Sequence, residues 1–333
     1  MDIRDLGEFE LIDRIRESLT VNAESPVMGI GDDCAIIPKD DDFETLVTTD
    51  MLVEGVHFDL NQCNPCQLGY KALAVNLSDI AAMGGIPRHI LISLAIPDYI
   101  SVEFIDQFYA GLKELSERFV VQIVGGDTTH SISGLIINIA LLGEIEKGRY
   151  LCRSGAQIGD LICVTGFLGN SSAGLHLLTN YPAELSEFEE LAESYRMPYP
   201  HVKPGRIMAD SGLVHSLIDI SDGLASDLKH ICKTSGMGAE IYEEMLPVSS
   251  SLVRYAKKHD LDYLKYALGG GEDYCLLLTV ATDNFSELAE SINEAGYDLH
   301  NFGEITDSGM IQIIRSDGSR EDLKIKGWDH FNK

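Results

Sequence analysis

Thr45-Leu46-Val47-Thr48-Thr49-Asp50, followed by the stretch Pro65 to Met83, sets the fold class. The first run is rich in β-branched residues and ends on an acid, which reads as a strand carrying a carboxylate. In the second, Leu68, Ala72, Val75 and Ile80 recur at three- and four-residue spacing, the period of a helix with a buried face. The alternation continues with a strand over Ile90 to Ile96 and an amphipathic helix over Val102 to Phe119. A buried strand Val120 to Val124 is expected to run into Gly125-Gly126-Asp127, with the apolar strand Leu135 to Leu142 pairing beside it.

The polar stretch Glu144 to Gly155 reads as a boundary. Beyond it, strands are expected at Asp160 to Thr165, Leu217 to Ile220 and Tyr274 to Val280. Helices are expected at Ser171 to Thr179, from Gly223 to about Thr234, and at Asn284 to Ala295. Tyr181 to Gly205, rich in Glu, Tyr and Pro, reads as an exposed helix plus loop. The fold class is therefore mixed α/β (α+β) in two units, residues 1–148 and 149–333, each long enough to bury a core.

Composition narrows the function. Fifty-three Asp and Glu against 25 Lys and Arg give a formal net charge of −28. Such a surface repels nucleic acid and anionic membranes, so neither is an expected partner. No apolar run approaches the length of a membrane span. Met1-Asp2-Ile3-Arg4-Asp5 places acids where a leader peptide carries basic residues. Seven cysteines, an odd number, fit free thiols, and a cytoplasmic location is expected. A carboxylate-rich protein can hold a phosphate ligand only if divalent cations stand between the two sets of oxygens.

The aspartates have the addresses such cations need. Asp32 and Asp33 follow Gly29-Ile30-Gly31, Asp50 follows Thr48-Thr49, Asp127 follows Gly125-Gly126, and Asp219 and Asp222 flank Ser221. These read as strand ends, where α/β sheets bind ligands; Asp79 lies instead late in the Pro65 to Met83 helix. Singly, Asp32-Asp33 also reads as a turn, Asp222 as a helix N-cap and Asp79 as a solvated helix residue. Together, like charges gathered at sheet ends are costly without cations, and an oxygen-only ligand set suits Mg²⁺. Gly269-Gly270-Gly271-Glu272-Asp273-Tyr274 adds a close-approach loop that aims Glu272 at a ligand. The sequence has no Walker A element, no kinase-type Gly-rich loop and no Gly-x-Ser-x-Gly elbow. Cys63-Asn64-Pro65-Cys66 has no second cysteine pair to complete a zinc site.

Read in order, these motifs resemble the thiamine-monophosphate kinase family, which sits in a superfamily with aminoimidazole ribonucleotide synthetase, selenophosphate synthetase and the hydrogenase maturation protein HypE. The resemblance rests on Gly29-Ile30-Gly31-Asp32-Asp33-Cys34-Ala35, on Thr49-Asp50-Met51-Leu52-Val53-Glu54-Gly55-Val56-His57-Phe58 and on Lys71 through Gly84. It continues through Gly125-Gly126-Asp127-Thr128-Thr129, Arg153-Ser154-Gly155-Ala156, Asp219-Ile220-Ser221-Asp222-Gly223-Leu224, Gly270 through Tyr274, and Gly327-Trp328-Asp329-His330-Phe331.

The resemblance implies that ATP phosphorylates thiamine monophosphate to thiamine diphosphate, with several Mg²⁺ as cofactors. It implies Asp33, Thr48, Thr49, Asp50, Asp79, Asp127, Asp219 and Asp222 as metal ligands. Gly126, Asp127, Arg153 and Ser221 fall to the nucleotide, and His57, Glu272 and Trp328 to the thiamine phosphate. No protein base or nucleophile is expected. It further implies a fold like that of aminoimidazole ribonucleotide synthetase, with the N-terminal sheets of a homodimer closing into a barrel. The chain departs from the family pattern at Cys275, where Glu is common, and over Met197 to Arg206.

Overall fold

A computed structural model describes residues 7–19 and 28–324. The first sheet contains β1 (Ala35–Pro38), β2 (Phe43–Val53), β3 (Ile86–Ile96), β4 (Gln122–His130) and β5 (Ile136–Glu146), in the order β1-β2-β5-β3-β4. All its pairings are antiparallel except β3 with β4. The second contains β6 (Asp160–Val164), β7 (Val214–Asp219), β8 (Gly238–Tyr242), β9 (Leu276–Ala281), β10 (His300–Thr306), β11 (Ile311–Ile314) and β12 (Arg320–Asp322). Its order is β12-β11-β8-β10-β6-β9-β7, parallel only between β8 and β11. Both sheets are open within the single chain.

The Pro65–Ala82 helix organises the molecule. Pro65 occupies its first turn, where no amide donor is needed, and Asn64 and Gln67 cap it reciprocally at 2.9 and 3.0 Å. Of its 18 residues, 14 are buried, so it lies inside the protein rather than on its surface. It touches β2 and β5 of the first sheet and β7 of the second. The Val102–Phe119 helix packs across it at glycines. A Cβ at Gly69 would stand 1.9 Å from the Phe108 carbonyl oxygen, and one at Gly111 would stand 1.8 Å from that of Cys66. The largest apolar cluster runs from Leu46 and Ile139 through Leu73 and Leu77 to Leu217 and Leu278, so the halves share a core.

The structure corrects several expectations. β5 pairs with β2 and β3, not with β4. β4 is an edge strand exposed along its whole length, and Val120 before it is a left-handed helix cap, not part of a buried strand. Of the apolar run Val120 to Val124, Val121 is buried in the core while Val120, Ile123 and Val124 are exposed. Tyr181 to Gly205 is a 3₁₀ turn, Pro182–Glu187, and the helix Glu189–Arg196, leading into the helix Val202–Ser211. It is not simply exposed, since Leu191, Ala192 and Tyr195 are buried. Strand-end placement holds for Asp219. Asp32 and Asp33 precede β1, whereas Asp50 and Asp127 lie within β2 and β4, because those strands run on past the Gly and Thr residues read as their ends.

Candidate active site

The last turn of the Pro65–Ala82 helix brings two side chains to the junction of the sheets. Thr48 on β2 donates a short hydrogen bond to Asp79 Oδ2. The neighbouring Ser78 donates to Asp219 Oδ2 at 2.6 Å. From the loop before β1, Asp33 accepts a short bond from the Arg153 guanidinium. Asp32 accepts from the Asp33 amide at 3.1 Å and from the Arg153 amide at 3.2 Å. Carboxylate oxygens of Asp33, Asp79 and Asp219 lie within 4.8 Å of one another.

Burial and neighbouring negative charge raise the proton affinity of several of these acids. Burial, then the charges of Asp50, Asp219 and Asp33, pushes Asp79 well above the usual carboxylate range. Burial and Asp33 do the same to Asp219 and Asp50. Asp33 Oδ2 and Arg153 Nε are buried without a hydrogen-bond partner. Converging, mutually repelling oxygens with an unfilled lone pair fit a hard divalent cation such as Mg²⁺.

Strand alternation divides the remaining sequence-derived residues. Thr48 and Asp50 share the inner face of β2 with the cluster, whereas Thr49 lies on the outer face and accepts from Asn138 Nδ2 at 3.0 Å. Asp127 aligns with Ser93, Asn138 and Met51 across the sheet and shares that outer face. It stands three strand spacings from β2, about 14 Å. Gly126 is beside it, packed so closely that a Cβ would meet the Ile92 carbonyl oxygen at 1.8 Å. The structure thus gathers Asp33, Thr48, Asp50, Asp79, Asp219 and Arg153, leaves Thr49 and Asp127 on the opposite face, and sets Gly126, on the edge strand β4, beside the inward-facing Ile92.

Ser221 and Asp222 lie in the turn after β7, against the Gly-rich loop. The Ser221 carbonyl accepts from the Glu272 amide at 2.8 Å, and a Cβ at Gly271 would stand 2.5 Å from that same oxygen. These glycines therefore permit close approach to the protein's own backbone. His57 sits beyond β2, its Nδ1 accepting from the Val53 amide at 3.0 Å. Trp328 lies outside the described residues.

Several residues of the site were not expected from the sequence. Lys71 pairs with Glu272 at 3.0 Å, although its place in an apolar helix pattern was a signal. Ser78 reaches Asp219, and Tyr195 comes from a segment read as surface. Asp273 accepts from the Gly169 amide at 2.6 Å and the Ser171 amide at 3.2 Å, tying the loop to the Asn170–Asn180 helix. Burial raises its pKa to about 7.

The two halves define the class. Residues 31–145 match the AIR synthase related protein, N-terminal domain, and residues 157–315 the C-terminal domain, so the chain belongs to that family. Within it, the chain belongs to the thiamine-monophosphate kinases. It is 37% identical to the thiamine-monophosphate kinase of Bacillus subtilis (strain 168) over 330 residues, 98% of this chain and all of that one. It is 39% identical to that of Escherichia coli (strain K12), covering 98% of each. The solved structure of AaThiL complexed with AMPPCP and TMP superposes at a TM-score of 0.86, with 36% identity and 99% of both chains covered.

Proposed function

We propose that this thiamine-phosphate kinase moves the γ-phosphoryl group of ATP directly, in line, onto the phosphate of thiamine monophosphate, giving thiamine diphosphate, with several Mg²⁺ ions. The observation that carries the metal part is the convergence of Asp33, Asp79 and Asp219 within 4.8 Å, with a buried, unpartnered oxygen on Asp33. Asp33, Asp50, Asp79, Asp219 and Thr48 would hold the ions on the inner face, with Asp222 beside them. Thr49 and Asp127 would serve at the outer face, and Gly126, next to Asp127 on the exposed edge strand, would let a phosphate chain approach the backbone. Bound Mg²⁺ supplies charge neutralisation between the two phosphates.

Arg153, steadied by Asp33 and Asp32, presents a fixed cation to the nucleotide, and Ser221 adds a hydroxyl there. His57, Glu272 and Trp328 orient the thiamine part. The attacking oxygen is already anionic at neutral pH, so the chain needs no general base, and alignment is its main contribution. A coupled ADP-release assay across phosphorylated and unphosphorylated acceptors tests the reaction; release with every acceptor except thiamine monophosphate would refute it. Calorimetric titration with ATP in excess chelator tests the metal dependence, and tight binding there would sink it.

The reading extends to assembly. Residues 1–148 form the nucleotide-binding and dimerisation unit and residues 149–333 the C-terminal unit, in a cytoplasmic homodimer whose N-terminal sheets join into a barrel. Support comes from the open outer face of the first sheet, where Met51, Leu91 and Val124 are exposed, and from the uncovered edge strand β4. Among the described residues, no helix is long and apolar enough to cross a membrane. Light scattering that returns the mass of one 36.6 kDa chain would count against the dimer.

A further inference from the structure

A lysine stands inside the buried Pro65–Ala82 helix. The Lys71 side chain is 3% exposed, and an ammonium in such a place is costly unless it is paired. Its pairing is specific. Nζ lies 3.0 Å from one oxygen of Glu272 and 3.1 Å from the other. It also lies 3.8 Å from the centre of the Tyr195 ring, close enough for a cation–π contact. Tyr195 Oη in turn donates to the His57 carbonyl at 3.4 Å. Lys71 therefore links three separate segments, the two outer ones carrying His57 and Glu272.

The main chain around Glu272 is held just as firmly. Glu272 has φ 64° and Tyr274 φ 52°, left-handed values that side-chain-bearing residues rarely adopt. The Glu272 amide donates to the Ser221 carbonyl at 2.8 Å, and that of Tyr274 to the Ile220 carbonyl at 2.9 Å. The loop fixes where the Glu272 backbone stands, and Lys71 fixes where its carboxylate goes.

Position along the helix matches the shape of the acceptor. Lys71 precedes Ser78 by two helical turns on the same face, which puts it about 12 Å from Asp79 along the axis. The acid cluster thus marks a phosphate end, and the part-exposed Glu272 carboxylate an end suited to a cationic heteroaromatic ring.

We infer that Lys71 is a positioning residue that holds the Glu272 carboxylate in the acceptor site and sets its geometry for the ring of thiamine monophosphate. The inference rests on the proposed role of Glu272 as an acceptor contact. Steady-state kinetics of Lys71→Met, Lys71→Arg, Glu272→Gln and the Lys71→Met/Glu272→Gln double variant test it, with melting temperature measured alongside.

Lys71→Met is expected to raise the KM for thiamine monophosphate about tenfold or more while leaving that for ATP within about twofold, since misplacement of an orienting group acts on its own substrate. Lys71→Arg should recover part of the loss, and the double variant should be no worse than Glu272→Gln alone. A lower melting temperature with an unchanged acceptor KM, a parallel rise in both KM values, or additive losses in the double variant would overturn the inference. If Lys71→Met fails to fold, Lys71→Gln takes its place with the same readings; if neither folds, the lysine is structural and the inference falls. Glu272→Gln with an unchanged acceptor KM would remove the role of Glu272 itself. An effect of Glu272→Gln without one of Lys71→Met would remove only the role of Lys71.

Discussion

Ser78 Oγ donates to Asp219 Oδ2 at 2.6 Å, a buried bond between residues 141 apart in sequence. It joins the last turn of the central helix to the end of β7, and so makes the acid cluster a product of both halves. Ser78→Ala would leave a buried carboxylate oxygen without its donor, a loss of about 1–3 kcal/mol. The variant is expected to melt at lower temperature when metal-free and to need more Mg²⁺ for half-maximal rate. An unchanged Mg²⁺ requirement would show that this bond serves folding alone.

Asp79 and Asp127 should respond differently to loss of charge. Asp79 sits among Asp50, Asp219 and Asp33, and an amide at that position still accepts from Thr48. Asp79→Asn is expected to stabilise the metal-free protein by about 1 kcal/mol while removing most of the activity. Asp127 lies on the exposed edge strand, so Asp127→Asn should change stability by less than about 0.5 kcal/mol. Thermal melts in chelator and in Mg²⁺ separate the two. Destabilisation of Asp79→Asn in chelator would mean that its charge is structural.

Most of the first sheet and its helices was legible because hydrophobic period is strong there, and the structure adds the caps, Asn64 opening one helix and Ser101 the next. The pairing of β5 was not legible, since period identifies a strand but not its neighbour. The acids were found as residues, but their division between two faces was not. Thr48 and Thr49 are adjacent in sequence and alternate across the sheet, and only the position of the covering helix says which face is inside. Lys71 and Tyr195 were missed for a related reason. Each gains its meaning from a partner more than a hundred residues away, Glu272 for the lysine and His57 for the tyrosine.

His201 gives a pH dependence whose sign is fixed by burial. Its Nδ1 lies 2.7 Å from Thr165 Oγ1, which also accepts from the Leu276 amide at 2.9 Å. Burial lowers its pKa from 6.5 to about 4. Between those values the unfolded chain binds a proton that the folded chain refuses, so stability rises with pH through this window and is lost as pH falls. The loss from pH 6.5 to 4 is on the order of 2 to 3 kcal/mol. His201→Gln should flatten the stability profile over that range in urea titrations, and an unchanged slope would refute the assignment.

The mechanism makes a stereochemical prediction. In the proposed reaction the acceptor brings its own anionic oxygen and the carboxylates of the cluster hold cations, so no carboxylate of the cluster is left to deprotonate an alcohol. Unphosphorylated thiamine should therefore be a very poor acceptor, slower by about a hundredfold or more, the usual contribution of a positioned base. Direct attack on the γ-phosphorus requires the incoming and leaving oxygens to lie in line, which inverts configuration. Transfer from ATP made chiral at that phosphorus should give inverted thiamine diphosphate. Net retention would require two displacements through a phosphorylated side chain, and His57, next to the cluster's own strand, would then become the residue to trap.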